Sequence, residues 1–443
     1  MRFLRIKPLL LVVVAAVFAT AVVTLTHSSV VTEQPASAQT SHSGQLAVPA
    51  TSGLASIQAA RQALLNAVKP KAGATSTGAG PTTGAKTGSS GGSAPKSGAA
   101  PAITTTTTST LPATTTTTVP ASNRPVIGVS IPNLLTEAPA TQAAQLANMK
   151  SIGVTSVRIG ADWAWISYAG QGTYDWTQLD QEVASVHAAG MSMDMVIMGT
   201  PAWAAVAGES GSDVAQPANP SLFGQFAAAV AQRYAPQGVQ DFEIWNEPNN
   251  TVFWQPAPNP AAYVQILQAA DTDIKAVDPG AFVITAGLAP EATQNGDINE
   301  VSFLQDMYAD GAKGYFDAVG DHPYSYPALP DTYEAWSGWS QMDATPASLE
   351  STMAANGDGS KPIWITEVGA PTGGPDSVGT AAQAQELTQA IDNAKSSSWI
   401  GALYMYTYED SGGNPGTDED WFGLLNADGS AKPAWSAVAA AIG

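Results

Sequence analysis

Residues 244–249 read Ile-Trp-Asn-Glu-Pro-Asn, and this stretch is the strongest local evidence for the fold. The run Asp241–Trp245 that leads into it is short, apolar and aromatic, which is typical of a buried β-strand. Pro248 has no backbone N–H and favours extended geometry at Glu247, so the strand is expected to end at this point. The stretch therefore predicts a carboxylate fixed at the exit of a buried strand.

A second apolar segment ends in the same way. Residues 362–369 read Pro-Ile-Trp-Ile-Thr-Glu-Val-Gly and place Glu367 at the end of another predicted strand. A lone glutamate at a strand end is usually a solvated rim residue, but this explanation weakens when two such glutamates follow matching strands. Two carboxylates at strand ends favour glycoside hydrolysis, in which one carboxyl protonates the leaving oxygen and the other attacks the sugar or activates water.

Short apolar runs alternate with helical patterns from Asn123 onward. The predicted strands are 126–130, 156–160, 193–198, 241–245, 282–286, 317–320, 362–366 and 402–406. The predicted helices include 143–151, 179–189, 222–234, 261–277 and 381–395. This alternation predicts an α/β fold, a single (β/α)8 TIM barrel over residues 123–443, rather than an open doubly wound sheet. The strand ends of such a barrel converge on one face, so Glu247 and Glu367 are expected to face each other across its mouth.

Residues 1–38 have the pattern of a signal peptide or a membrane anchor. Arg2, Arg5 and Lys7 precede an apolar run over residues 9–25, and residues 36–38, Ala-Ser-Ala, offer a small-residue cleavage site. The apolar run lies near the lower length limit for crossing a bilayer, so the pattern leaves cleavage and retention open. Either alternative predicts a secreted or cell-surface protein. If the segment is retained, the protein is expected to be attached to the membrane or cell wall through its N-terminus.

Residues 39–122 have the composition of a disordered linker. They are dominated by Thr, Ser, Gly, Pro and Ala, with threonine tracts at 104–108 and 114–118. Such a composition buries too little apolar surface to offset the conformational entropy lost on folding. One segment, 54–68, has apolar spacing that suits a short helix, and we expect that helix to be transient.

Composition limits the possible functions of the C-terminal part. Nine of the 17 Lys and Arg residues but 36 of the 37 Asp and Glu residues follow Asn123, so this part carries a formal net charge of nine minus 36, or −27. This charge disfavours nucleic acids and anionic lipids as partners and favours neutral substrates over strongly acidic ones. Without cysteine, and with His187 and His322 as its histidines, this part cannot assemble a thiolate or three-histidine zinc site. We expect no metal, no cofactor and a monomer.

The two glutamate motifs resemble those of a known group of enzymes. Residues 244–249 resemble the acid/base motif of the clan A retaining glycoside hydrolases, and residues 364–369 resemble their nucleophile motif. The family 39 type, with β-xylosidases, α-L-iduronidases and bacterial exopolysaccharide hydrolases, is most similar, since residues 200–204 and 421–435 also match it. The resemblance covers residues 123–443. It implies a (β/α)8 barrel that cleaves O-glycosidic bonds of a polysaccharide or oligosaccharide, expected to be β-linked, with Glu247 as acid/base and Glu367 as nucleophile.

The resemblance also gives Asn246 a role. It implies that Asn246 bonds the 2-hydroxyl of the sugar. Simple pleat alternation would turn Asn246 and Glu247 to opposite faces of the strand. Their joint use of one site therefore predicts a bulge or a twist at the end of this strand.

Three further polar residues are candidates for the site. Arg158 is a charged residue within an apolar strand and needs a buried partner, which is Glu367 by the resemblance and Asp194 as the alternative. His322 and Tyr324 resemble the His-x-Tyr pair of the clan, and the resemblance implies that Tyr324 donates to Glu367. His187 lies in a helical pattern and is expected to be structural.

Aromatic side chains favour a saccharide ligand, because their faces stack on the C–H surfaces of sugars. Seven tryptophans are predicted to lie in loops after strands rather than in helices, about half of them in contact with substrate: Trp163, Trp165, Trp203, Trp254, Trp336, Trp339 and Trp421. The candidate substrate-binding aromatics are Trp163, Trp203, Trp254, Tyr406 and Trp421.

Two departures from the clan pattern leave the sugar open. Many clan A enzymes have a histidine near the third strand, whereas residues 193–203 contain none. The eighth strand often supplies a tryptophan, but here Tyr404, Tyr406 and Tyr408 occupy it, with Trp421 as a candidate substitute.

The acidic run 418–420 is expected to be a solvated loop rather than a calcium site.

Two alternative functions remain compatible with the sequence. Transglycosylation would use the same covalent intermediate with a sugar as acceptor. A non-catalytic carbohydrate-binding surface protein would suit the linker, although the presence of both glutamates with their motifs disfavours it. Product analysis separates hydrolysis from transfer, and a glycan panel separates catalysis from binding.

Overall fold

Eight parallel strands lie side by side in one sheet. The computed structural model describes residues 125–132 and 134–443. The strands are β1 (Val126–Ser130), β2 (Ser156–Asp162), β3 (Ser192–Met198), β4 (Asp241–Asn246), β5 (Phe282–Gly287), β6 (Val319–Asp321), β7 (Ile363–Val368) and β8 (Ile400–Tyr406). Their spatial order is β5-β4-β3-β2-β1-β8-β7-β6, and isolated bridges from Ile284 to Ala318 and from Leu288 to Asp321 join the two ends. The predicted (β/α)8 barrel is confirmed.

Helices follow the strands and pack on the outside of the barrel. They are α1 (Pro139–Ser151), α2 (Trp163–Ile166), α3 (Thr177–Ala189), α4 (Pro220–Tyr234), α5 (Pro260–Val277), α6 (Glu300–Ala309), α7 (Gly338–Asp343), α8 (Leu349–Ala355), α9 (Thr380–Ser396) and α10 (Pro433–Ile442). The five predicted helices are all present. His187 is an exposed residue of α3, as its helical pattern indicated.

The starts of α4 and α5 are set by caps that lie before the apolar periodicity begins. Asn219 accepts a hydrogen bond from the backbone N–H of Ser221 at 3.1 Å, and Asn259 accepts one from Ala262 at 3.1 Å. A proline follows each asparagine, as Pro220 does in α4, and its fixed φ suits the first helical position. Apolar periodicity alone therefore places these starts slightly too late.

The barrel has two separate apolar clusters. The larger cluster fills the space between the strands and the helices. The smaller one lies inside the barrel and consists of Ile284, Ala318, Trp364, Ala402 and Tyr404. Beyond this inner cluster the barrel interior becomes polar, and the side chains there extend toward the mouth.

The predicted targeting segment 1–38 and linker 39–122, including the helix over 54–68, lie outside the described residues. Within the part of the chain that the structure describes, no helix combines the length and the apolar character that a membrane crossing requires.

Candidate active site

Glu247 stands at the exit of β4 on a distorted stretch of backbone. Trp245 has φ 75° and Glu247 has φ 45°, backbone values that residues other than glycine rarely adopt. The ladder with β5 pairs Ile244 with Thr285 and Asn246 with Gly287 but skips Trp245. The indole of Trp245 points into the outer core and donates to the carbonyl of Phe253 at 2.9 Å. The predicted distortion is confirmed, and it lets Asn246 and Glu247 both face the barrel mouth.

Glu367 ends β7 on the facing side of the mouth. Its Oε1 accepts from Arg158 Nη1 at 2.5 Å, and its Oε2 accepts from the hydroxyl of Tyr324 at 2.9 Å. One carboxylate oxygen of Glu367, one of Glu247 and one ring nitrogen of His322 lie within 4.8 Å of one another. The structure therefore brings the two predicted carboxylates together across the barrel.

Arg158 lies in the barrel interior, where it is 5% exposed. Besides Glu367, its guanidinium donates to Glu243, to Asn246 Oδ1 at 2.9 Å and to Ser130 Oγ at 3.3 Å. Burial lowers the pKa of Arg158, but the charges of Glu243 and Glu367 outweigh burial and raise it above its ordinary value.

These contacts correct one sequence-based role. The predicted pairing of Arg158 with Glu367 is confirmed, but a second partner, Glu243, was not foreseen. Arg158 was expected to bind substrate as well. In the structure, the N–H groups of Arg158 donate to protein acceptors instead. Arg158 can therefore affect a substrate only through the residues that it holds, Glu367 and Asn246.

His322 is fully buried behind Glu247. Its Nδ1 lies 2.8 Å from Glu247 Oε1, and its Nε2 lies 3.0 Å from the hydroxyl oxygen of Thr366. With no exposed surface, His322 is placed to act on Glu247 rather than to touch a ligand directly, which corrects its predicted binding role. Burial lowers the pKa of His322 to about 4.

Glu247 is the candidate proton donor of the site. Burial raises its pKa to about 8, with Arg158 opposing the rise and Glu243 adding to it. Its Oε2 is buried and has no hydrogen-bond partner among the described residues. At neutral pH Glu247 therefore holds a proton while His322 is neutral.

Asn246 is 8% exposed and is held by Arg158. Because its Oδ1 accepts from Arg158 Nη2, the amide presents Nδ2 as its remaining donor. Contact between Asn246 and a sugar hydroxyl stays a prediction.

The predicted aromatic contacts are only partly accessible. Trp163 and Trp254 are 1% and 0% exposed. Trp163 packs against Phe223 and Phe226, and Trp254 packs against Trp245, all in the outer core. The prediction that Trp163 and Trp254 bind substrate is wrong, because no face of either ring is free.

Helices also contain some of the tryptophans assigned to loops. Trp163 and Trp165 are two of the four residues of α2, and Trp339, which is buried, lies in α7. The reason is that these loops fold back onto the barrel as short helices, which bury Trp163 and Trp339.

Three candidate aromatics keep accessible surface or lie near the carboxylates. Trp203 is 37% exposed, and its indole donates to the carbonyl of Ser167 at 2.8 Å. Trp421 is partly exposed and donates to the carbonyl of Asn414 at 3.0 Å. Tyr406, at the end of β8, donates to Glu419 at 3.4 Å. Their contacts with substrate stay predictions.

Sequence reasoning missed four polar residues near the candidate site. Glu243 and Thr366 are completely buried on β4 and β7. Glu291 follows β5 and bonds Asn250 at 2.7 Å, and Glu419 follows β8. A charge inside the apolar run 241–245 was a usable signal for Glu243, whereas Glu291 and Glu419 lie in loops that carry no such pattern.

The acidic run 418–420 differs from the expected solvated loop. Asp418 is buried and accepts from the backbone N–H of Asp376 at 2.9 Å, and Glu419 is partly buried beside Tyr406. Burial raises the pKa of Glu419 to about 8, with Glu367 and Glu247 adding to the rise. The loop therefore closes one side of the mouth.

The described residues contain one compact group of atoms that could coordinate a cation, on Glu247, His322 and Glu367. Both ring nitrogens of His322 already have protein partners, Glu247 and Thr366. We therefore assign no metal ligand at this site.

Comparison with known proteins identifies the fold. No protein-family model and no curated protein matches the chain. A family 39 glycoside hydrolase from Bacteroides cellulosilyticus WH2 has a TM-score of 0.58 at 20% identity, over 72% of this chain and 64% of that chain. GH5_18 from Streptomyces cattleya, in complex with GlcNAc, has a TM-score of 0.54 at 19% identity, over 72% and 80%. A glucosidase from Croceicoccus marinus has a TM-score of 0.52 at 14% identity, over 72% and 67%.

These likenesses concern the barrel. At 20% identity and below they show the fold alone, and the chain spans 64% of the length of the family 39 structure. What this barrel can do chemically is set by the geometry of Glu247 and Glu367.

Proposed function

We propose that this protein is a retaining glycoside hydrolase that cleaves O-glycosidic bonds of a polysaccharide or oligosaccharide by double displacement. One observation carries the proposal: Glu247 and Glu367, far apart in the sequence, present carboxylate oxygens within 4.8 Å of each other across the barrel mouth. The glycoside hydrolases with the same barrel support it as structural analogues.

The separation of the carboxylates favours retention over inversion. Retaining enzymes hold their two carboxyl groups about 5–5.5 Å apart, whereas inverting enzymes need about 6.5–9.5 Å to admit a water molecule. One oxygen of each carboxyl lies within 4.8 Å of one of the other, which is nearer to the shorter separation than to the longer one. This spacing allows direct attack by one carboxylate on the sugar that the other one protonates.

The surroundings of the two groups favour different roles. Glu247, with a pKa of about 8, is protonated at neutral pH and suits the general acid. Glu367 is ion-paired with Arg158 and bonded by Tyr324, two donors that stabilise a carboxylate and aim it. Glu367 therefore suits the nucleophile.

The reaction follows from these roles. Glu247 gives its proton to the leaving oxygen while a Glu367 oxygen bonds to the anomeric carbon, which forms a covalent glycosyl-enzyme. Glu247, now ionised, takes a proton from water as that water attacks the same carbon and releases Glu367. Asn246 Nδ2 is the donor placed to bond a substrate hydroxyl beside Glu247.

The site of action is part of the proposal. Arg2, Arg5 and Lys7 ahead of the apolar run 9–25 support export, so we place the enzyme outside the cytoplasm with a surface or secreted glycan as substrate. The partly exposed rings of Trp203 and Trp421 support a saccharide ligand.

Substitution of the two carboxylates tests the proposal. With a panel of aryl glycosides and polysaccharides, Glu367→Ala should lower kcat/KM by at least about 10³-fold on every substrate that the wild type cleaves. Glu247→Ala should lose about 10²–10⁴-fold with poor leaving groups but keep dinitrophenyl glycoside cleavage, because an activated leaving group needs no proton.

The matched control is Glu350→Ala, a glutamate on the outer helix α8, which should keep wild-type rates. Proton NMR of the first product formed by the wild type should show the same anomeric configuration as the substrate. Wild-type rates in Glu367→Ala, or an inverted first product, would rule out the assignment.

A further inference from the structure

Glu243 is a completely buried carboxylate that is connected to Glu367 through one intervening residue and to Glu247 through two. Through Arg158, which it bonds at 2.5 and 3.1 Å, it reaches Glu367. Through Thr366 Oγ1, 3.2 Å from Glu243 Oε1, it reaches His322 and then Glu247. Thr366 and His322 are also fully buried, so no solvent interrupts this second path.

The charge state of Glu243 follows from its partners. It accepts from the backbone N–H of Gly287 at 2.8 Å and from two N–H groups of Arg158, all of which can only donate. Its buried neighbour Asp194 has a pKa well above the ordinary range, because of burial and then of the charge of Glu243. Glu243 therefore carries the negative charge, and Asp194 is neutral.

Thr366 has one hydroxyl proton and two neighbours that could take it. These are Glu243 Oε1 at 3.2 Å and His322 Nε2 at 3.0 Å. A hydrogen bond to an anion is roughly twice as strong as a bond between neutral groups, so the proton points to Glu243. Thr366 Oγ1 must then accept, and the donor can only be an N–H on Nε2 of His322.

The other ring nitrogen completes the sequence of donors and acceptors. A neutral imidazole with its proton on Nε2 has a lone pair on Nδ1. Nδ1 lies 2.8 Å from Glu247 Oε1, and two acceptors cannot share that contact without a proton. We propose that Glu243 is a positioning residue: through Thr366 it holds His322 in the Nε2–H tautomer, and His322 Nδ1 in turn holds the acidic proton on Glu247.

Several other charged or titratable groups face Glu247 and act on its proton as well. Three of them are carboxyl groups: Glu291 after β5, Glu367 at the end of β7 and Glu419 after β8. Two are the hydroxyls of Tyr324 and Tyr406. The negative charges of the carboxylates disfavour a further negative charge on Glu247. Arg158 on β2 favours that charge. These groups act through space, whereas the path through Thr366 also fixes the direction of each hydrogen bond.

The catalytic meaning of this arrangement rests on the proposed function. In the free enzyme the O–H of Glu247 points to His322. When substrate binds, this O–H turns from Nδ1 to the leaving oxygen and gives up its proton. The ionised Glu247 then faces the lone pair of Nδ1, which disfavours its negative charge and promotes recovery of a proton from the attacking water in the second step.

Nitrogen NMR of the full chain labelled with ¹⁵N-histidine tests the proposal without any substrate. Near pH 7, His322 of the wild type should be neutral with its proton on Nε2. In Thr366→Val, which keeps the shape and removes the hydroxyl, and in Glu243→Gln, which removes the charge, the Nδ1–H tautomer should become the major form. Thr366→Ser restores a hydroxyl and should retain the wild-type tautomer.

Two controls separate this result from a general structural effect. Exposed His187 provides an internal reference whose signals should be the same in every variant. Glu386→Gln changes another buried glutamate, on α9, and should leave His322 unchanged. If Glu243→Gln fails to fold, Thr366→Val alone decides. Wild-type His322 in the Nδ1–H or doubly protonated form, or an unchanged tautomer in Thr366→Val, would overturn the proposal.

A second readout connects the tautomer to catalysis. The alkaline limb of the pH dependence of kcat/KM should move to lower pH in Thr366→Val, because Glu247 then accepts an N–H from His322 and loses its proton more easily. Absence of turnover in the wild type would refute the proposed function and leave the tautomer result standing. An unmoved alkaline limb together with a changed tautomer would refute the catalytic meaning.

Discussion

At the scale of single residues, Glu367 is held from two sides by donors of different kinds. Arg158 Nη1 provides a charged donor at 2.5 Å from inside the barrel, and Tyr324 provides a neutral hydroxyl at 2.9 Å from the loop after β6. Arg158 also holds Glu243 and Asn246, so its loss would leave a buried carboxylate without its partner. Among the described residues the Tyr324 hydroxyl bonds Glu367 alone, so substitution of Tyr324 isolates the effect on Glu367.

We predict that Tyr324→Phe lowers kcat by about tenfold, because loss of one hydrogen bond to a charged group costs about 1.5 kcal/mol. Steady-state kinetics on the substrate identified from the panel measure this change. Tyr308→Phe is the matched control, because Tyr308 on α6 also donates to a carboxylate, Asp358, at 3.1 Å, but outside the barrel. Equal kcat in the two variants would contradict the role given to Tyr324.

At the scale of elements, β5 leaves room inside the barrel for His322, directly after β6, and for Thr366 of β7. A Cβ added to Gly287 would lie 2.1 Å from His322 Nε2 and 2.5 Å from Thr366 Oγ1. The backbone N–H of Gly287 meanwhile donates to Glu243, and its carbonyl accepts from the N–H of Glu247 at 3.0 Å. The absence of a side chain at Gly287 is thus what allows Glu243, Thr366 and His322 to meet.

We predict that Gly287→Ala lowers the free energy of unfolding by about 1–3 kcal/mol, because a side chain in this space overpacks the barrel interior. Denaturant unfolding measures the loss. The control is Gly160→Ala on β2, where the added Cβ would find its nearest neighbour, Val196 Cγ1, at 3.8 Å, an ordinary contact. If the two alanine variants were equally stable, the close packing around Gly287 would be refuted.

Element boundaries show where local pattern is insufficient. The run 317–320 was predicted as the sixth strand, but β6 begins at Val319. The carboxylate of Asp317 accepts from the backbone N–H of Val283 at 2.9 Å, and its own N–H donates to the carbonyl of Val283 at 2.7 Å. These bonds to β5 take the place of a ladder at Asp317, and no property of the run itself indicates them.

At the scale of the whole molecule, many acidic groups are buried. Burial raises the pKa of Glu182, Glu386 and Glu247 to about 8 each and that of Asp241 to about 7. In the unfolded chain such groups titrate near their ordinary values, about 4 to 4.5. Between these limits the folded state holds protons that the unfolded state releases, so the stability present at low pH is lost as pH rises.

We therefore predict that Tm falls by at least about 5 °C between pH 5 and pH 8. His322, with a pKa lowered to about 4, acts in the opposite direction up to about pH 6.5, but it is one group against several carboxyls. Differential scanning calorimetry measures the change. Glu182→Gln combined with Glu386→Gln should flatten the profile, and a Tm that rises over this interval would contradict the prediction.

The amino-acid sequence by itself determined the barrel and the identity of its two facing glutamates. Both depend on local information: strands and helices have periods of two and 3.6 residues, and strand ends are marked by residues such as Pro248. The twist that turns Asn246 and Glu247 together was also predictable once the resemblance placed both residues in one site, because pleat alternation would otherwise turn them to opposite faces.

The tertiary structure alone decided the contacts that the sequence did not indicate, such as Glu243 on Arg158 and His322 on Glu247. Whether Trp254 meets a sugar or the outer core depends on how its loop folds back, and whether Arg158 meets Glu243 as well as Glu367 depends on the register of β2, β4 and β7 around the closed barrel. Such contacts join residues that are distant in the chain and few in number. They leave no repeating pattern in the sequence, because each is set by barrel closure and by the space that residues such as Gly287 leave open.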